Sequence, residues 1–343
     1  MKPLYRKVLK QALFITWRAK FLWIFGFFAA LLGNGGAYEI LFRSSGQARE
    51  KGILTIILDI LSESGLLQSL TFQNLKESFL AEPFALFILL WLILIGIALF
   101  IFIVWSVVVS QGALTSSAKK IARGEETNFK EAALKGIKFF WPILGLDVIA
   151  QAILCLILLG MRTPLVIVKA TSVWNWILIF ALFSLFAVIG IIIFFVTQYA
   201  ICFVVLKGKK MLKSVREAVS LFLKNWIISL EMALILLAIN ILVAIGTFLL
   251  AIFSSLPLLL LGLIFYFLSF PVGIWFIICL IFLVFLLFLV LLGAILATFQ
   301  YSSWVLLFLR LTEEGGVSKI VRLVKGVRKK IGGKGEDKEE EIK

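Results

Sequence analysis

Two carboxylates stand where a bilayer is least forgiving. Asp147 lies in the run "WPILGLDVIAQ" and Glu231 in "NWIISLEMALILL", each inside an otherwise apolar stretch. An acid in that setting is costly, and it is kept because it pairs, holds an ion or relays a proton. Gln151 follows Asp147 by one helical turn and shares its face, so the two are placed to bond a neighbouring helix. Both acids come early in their helices, six residues after Trp141 and five after Trp226. At 1.5 Å per residue that is roughly 8–9 Å below the membrane surface. Coupled transporters put their sites near the midplane instead. Asn240 is nine residues from Glu231, on the other side of the same helix, and no polar stripe long enough for a pore emerges. The expectation is helix packing, or anchoring of a surface helix. A transporter or permease working through Asp147 and Glu231 is the alternative.

Other chemistry has little to build on. The chain has no histidine, and its three cysteines, Cys155, Cys202 and Cys279, are far apart inside apolar runs. No site with ordinary nitrogen and sulfur ligands can be assembled from these, so neither a metal nor a cofactor is expected. The cysteines read as small buried hydrophobes. There is no GxSxG, no Walker loop and no close carboxylate pair on one helix, and a serine nucleophile would lack its histidine base. The chain is expected not to be an enzyme.

The elements that must position these residues are membrane spans. Of 343 residues, 62% are hydrophobic, and the mean hydropathy is +1.11. Several runs exceed the ~18 apolar residues a spanning helix needs. The pattern predicts an all-α polytopic bundle with six spans, at about 8–33, 83–117, 139–160, 174–206, 225–253 and 271–310. Pro83, Pro142, Pro257 and Pro271 sit where a helix can begin. Residues 256–270 are short for a span and read as re-entrant or interfacial. The first apolar core, 21–32, also has the outline of a cleavable signal peptide. Arg18 and Lys20 beside it favour a retained span.

The net charge of +15 would suggest nucleic acid in a soluble domain, but here its distribution points to topology. Segments 1–20, 110–138, 206–225 and 310–343 hold 28 of the Lys and Arg residues; 33–82, 161–173 and 254–270 hold six. The two groups alternate with the six spans, which predicts both termini in the cytoplasm. No nucleic-acid partner is expected.

Polar landmarks recur in order. Gln11-Ala12, Glu131-Ala132 and Glu217-Ala218 each precede a Lys and Trp: Lys20 and Trp23, Lys138 and Trp141, Lys224 and Trp226. Gln111, Gln198 and Gln300 close the even-numbered spans. The pattern predicts three parallel units, about 1–118, 119–206 and 207–310, within one membrane domain. Each is a surface helix followed by a hairpin of two spans. In the third unit the bases Lys207, Lys209, Lys210, Lys213, Arg216 and Lys224 surround an apolar face of Val215, Val219 and Phe222. The segment "SKIVRLVKGVRKKI" repeats the idea with Arg322, Lys325, Arg328, Lys329 and Lys330. Anionic lipid headgroups are the expected partner of both. Loop 33–82 reads as an outer lid with amphipathic stretches, and 311–343 as a basic helix with a disordered charged tail.

The basic "EA" helix, the Lys-Trp pair and the following hairpin resemble the integral-membrane domain that accompanies some bacterial glycerophosphodiester phosphodiesterases, and its stand-alone relatives. The resemblance covers most of the chain and implies this architecture in a bacterial inner membrane. The catalytic barrel of those enzymes has no counterpart, so no phosphodiesterase activity carries over. The expected function is accessory or membrane-organising, through the basic cytoplasmic surface.

Overall fold

A computed structural model describes residues 4–32, 83–167, 173–268 and 270–313 of the chain. All nine elements of the described residues are helices. Three short amphipathic helices each precede an apolar one: α1 (Leu4–Arg18) before α2 (Leu22–Leu32), α4 (Phe129–Lys138) before α5 (Phe140–Ile167), and α7 (Met211–Lys224) before α8 (Trp226–Phe267); of these apolar helices α2 is itself short and α5 and α8 are long. The remaining long helices are α3 (Pro83–Ala122), α6 (Val173–Lys207) and α9 (Pro271–Glu313). Five helices are long and apolar enough to cross a membrane, and counting α1 with α2 as one bent span makes six. The chain is a multi-pass helical membrane protein.

Two compact units divide it: Gly35–Ser106, and Met1–Asn34 with Val107–Lys343. The first is described only through the start of α3, where Phe87 and Trp91 meet edge to face and Phe102 stacks on Trp105. In the second, α9 is central and packs on α1, α2, α6 and α8. The core gathers at one end of these helices. Val107, Leu114, Phe195, Tyr199, Trp304 and Phe308 are all buried. Farther along, α5 and α6, and likewise α8 and α9, continue as hairpins rich in exposed large apolar side chains. Such surfaces suit lipid contact.

The structure corrects the first span. Helix does not run from residue 8 to 33. It breaks after Arg18, and α2 leaves α1 at 110°. Short-range bonds carry the corner, from Leu22 N–H to Ala19 O (2.9 Å) and from Trp23 N–H to Lys20 O (3.0 Å). The Trp23 indole also donates to Thr16 O at 2.9 Å. Charges at Arg18 and Lys20 resist hydrocarbon, so the chain turns where they end.

Residues 256–267 need a second correction, being neither re-entrant nor a separate interfacial helix. Pro257 does not open a helix; it lies inside α8, which runs for 42 residues. Proline removes the N–H that would bond the Phe253 carbonyl, yet the helix continues on either side of it. Ser254 Oγ and Ser255 Oγ donate to the carbonyls of Ala251 (3.0 Å) and Ile252 (2.8 Å) in the turn before the proline. Since α8 continues through the proline, no extra crossing is added. Two of the cysteines also differ from expectation. Cys202 is buried, but Cys155 and Cys279 are exposed, on the outer parts of the hairpins where the core has ended.

Close packing holds α4 on α3. A Cβ on Gly136 would run into the Val109 carbonyl, and a Cβ on Gly112 would come within 2.9 Å of Gly136 Cα. Gly246 on α8 has open space around it. Gly136→Ala should therefore destabilise the protein by roughly 1–3 kcal/mol, as overpacking does. Gly246→Ala should be neutral or slightly stabilising, since alanine is the better helix former. Thermal unfolding in one detergent compares the two; equal melting temperatures would contradict the close approach.

Candidate functional site

The recurring dipeptides of the three short helices have a common structural role. Ala12, Ala132 and Ala218 are essentially fully buried, so the helix backbone approaches what lies beneath it. The residue before each alanine reaches back towards the end of a long helix. Gln11 Nε2 donates to Ala122 O at 3.2 Å, at the end of α3. Glu131 pairs with Lys120, also near the end of α3. Glu217 pairs with Lys209, just past the end of α6. The bond from Lys120 holds the Glu131 carboxyl below the usual carboxylate range. An amide or acid at this position ties each short helix to the end of a long one, the preceding helix for Glu131 and Glu217 and α3 for Gln11.

Those helix ends converge. Lys119 Nζ donates to Leu206 O, at the last turn of α6, at 3.1 Å. Arg123 pairs with Glu313, the last residue of α9, at 3.2 Å. The Lys207 ammonium lies 5.1 Å from the Phe203 ring centre and 5.7 Å from that of Phe308, bridging α6 and α9. Lys209 approaches Phe203 from its own side at 5.2 Å. Three helix C-termini thus share a cap of bases, the sign their dipoles favour.

Beneath the cap lies a layer of paired polar side chains. The Gln111 side chain faces Asp147. Gln198 faces the Tyr301 hydroxyl. Gln300 donates to Asn240 Oδ1. Tyr199 and Ser229 share a hydrogen bond of 2.7 Å. The Tyr5 hydroxyl donates to Glu231. All three landmark glutamines are buried, and each joins its helix to another. Asp147 is half-buried, and so is Glu231. Gln151 is exposed. Asp147 and Glu231 have different partners, Gln111 for the one and Tyr5 for the other.

Tyr5 was not singled out from the sequence. Its signal was the stripe Tyr5, Val8, Ala12 and Ile15, which the structure buries and which follows helical spacing.

The basic residues sort differently. Lys207, Lys210, Lys213, Arg216 and Lys224 are exposed, whereas Lys209 is half-buried on Glu217. The face that α7 turns into the protein is Ser214, Ala218 and Phe222, so Phe222 alone of the apolar face Val215, Val219 and Phe222 is buried there. Phe222 stacks on Phe195 of α6 with centroids 5.3 Å apart. Packing on α6 leaves Val219 and Leu223 outward. Arg322, Lys325, Arg328, Lys329 and Lys330 lie outside the described residues, as does loop 33–82.

Hydrogen bonds between membrane helices contribute about 0.6 kcal/mol each on average and up to ~1.7. A double-mutant cycle on Tyr5→Phe and Glu231→Gln should return a coupling energy of about 1 kcal/mol, read from denaturant unfolding. Strict additivity would mean that the contact does not hold α1.

No family model, curated protein or solved structure matches this chain.

Proposed function

We propose that the protein is an accessory, membrane-organising component that gathers anionic lipid headgroups through a basic surface on its cytoplasmic side. The carrying observation is a division of labour among its polar groups. Asp147 and Glu231, the acids within the membrane, have internal partners. Lys210, just ahead of α7, and Lys213, Arg216 and Lys224 on it have side chains open to the surroundings. Its one acid, Glu217, is turned to Lys209. A surface with that residue balance attracts anionic headgroups at about 1 kcal/mol per base.

The distribution of Lys and Arg along the sequence supports a cytoplasmic position for this face and for both termini. In this reading the three short helices are repeated membrane-surface elements, each followed by two spans. The protein carries out no chemistry of its own, and its setting is a bacterial-type inner membrane.

The test is lipid retention by the purified full chain, measured by native mass spectrometry after mixing with zwitterionic and anionic phospholipid. Replacing Lys210, Lys213, Arg216 and Lys224 by Gln should abolish the preference for anionic lipid, while the wild-type preference weakens as salt rises. Retention unchanged by the four substitutions would overturn the proposal. The double variant Asp147→Asn/Glu231→Gln separates it from a permease: the anionic preference should survive there. A loss of solute uptake in vesicles with that variant, at unchanged stability, would favour transport instead.

A further inference from the structure

The three short helices are apolar on two sides. Their buried sides hold Ala12, Ala132 and Ala218. Outward, α1 exposes Phe14 (54%) and Trp17 (54%), α4 exposes Leu134 (57%) with Trp141 (77%) just beyond it, and α7 exposes Leu223 (65%) with Trp226 (53%) just beyond it. Each outward patch sits beside open bases: Arg18, Lys135 and Lys138, and Lys224. The guanidinium of Arg18 lies over the Phe14 ring at 5.6 Å, leaving its charge at the edge of the patch. The acids of these helices add no opposing charge, because α1 has none and Glu131 and Glu217 are each tied to a lysine.

Bases interleaved with apolar side chains, next to a tryptophan, complement one surface: the headgroup and upper acyl region of an anionic leaflet. All three patches also adjoin the start of a helix leading into the membrane. A protein partner is less well matched, since the same composition recurs on three separate helices rather than on one contiguous docking face.

We infer that the three short helices together form a wedge in one leaflet, so that the protein collects where the membrane curves towards that leaflet. This rests on the lipid-facing reading above and goes further, because headgroup attraction alone inserts nothing. A helix lying in the interface with an apolar face sunk towards the acyl chains occupies area in that leaflet only. Binding of this kind is sensitive to curvature. Here three such helices belong to one compact unit, and the packing of α1 on α9 and of α7 on α6 couples their insertion to the bundle.

The experiment inserts the full chain by cell-free synthesis into preformed giant vesicles containing anionic lipid. Protease access to a carboxyl-terminal tag confirms that the termini stay outside. Narrow tubes are then pulled, and the protein density in the tube is compared with that in the parent vesicle. The wild type should be enriched about twofold or more in the tube, whose outer leaflet is the curved one. The variant Phe14→Gln/Leu134→Gln/Leu223→Gln alters only exposed positions, and an unchanged melting temperature verifies its fold. It should distribute evenly. Even distribution or depletion of the wild type overturns the wedge, as does a variant enriched as strongly as wild type. Either result leaves the lipid-retention experiment standing on its own, and the reverse outcomes are equally separable.

Discussion

Three helices of this protein end at one place, and that convergence is the constraint on which the rest depends. Each C-terminus carries roughly half a negative charge on carbonyls that lack helical partners. Bringing α3, α6 and α9 together at those ends is unfavourable unless cations come with them. Lys119 answers with a bond to Leu206 O, and Lys207 with its position over Phe203 and Phe308. Each short helix is then hung near one of these ends, by Gln11 or Glu131 at the end of α3 and by Glu217 just past the end of α6. The basic character of this side of the molecule thus has an internal reason as well as a topological one.

The layer of glutamines below serves a different need. Lipid tails are as apolar as leucine, so burial gives membrane helices little reason to associate. Specific contacts must choose the neighbours. Gln111 with Asp147, Gln198 with Tyr301 and Gln300 with Asn240 are unlike pairs, and each would be left incomplete by a wrong partner. Gln111 Oε1 remains buried without a partner, so even this layer is not fully satisfied. The core follows the same level, with Phe195, Tyr199, Trp304 and Phe308 clustered near these bonds.

How far this was legible depends on which force decides each feature. Span positions follow from hydropathy summed over many residues, so α3, α5, α6 and α9 lie close to where the sequence puts them. Recurrence of Gln111, Gln198 and Gln300 marked the polar layer, though not the partners, because pairing is set by three-dimensional neighbours. The side that α7 turns into the protein is hard to read from hydropathy for a similar reason. Ser214 and Ala218 look too small or too polar to define a buried side, yet small residues let helix backbones approach. At Arg18 and Lys20 charge outweighed continuity, and the helix turned. At Pro257 continuity outweighed the proline, because the long helix on either side carried it through. Tyr5 on α1 could be found from spacing, but its bond to Glu231, 226 residues away, could not.

The length of α8 carries a consequence of its own. Its 42 residues rise roughly 63 Å at 1.5 Å each, about twice a ~30 Å hydrocarbon core. Between Glu231 and Arg310 no residue is charged, so nothing along either leg of the α8–α9 hairpin marks a depth at which it must leave the oil. Upright, the hairpin overshoots; to fit by leaning alone it would need about 60° of tilt, beyond the usual range of 0–40°. The surrounding bilayer must therefore meet it partway, and the protein is most at ease where that bilayer is thick. Membrane thickness becomes a coordinate on which this fold has a preference.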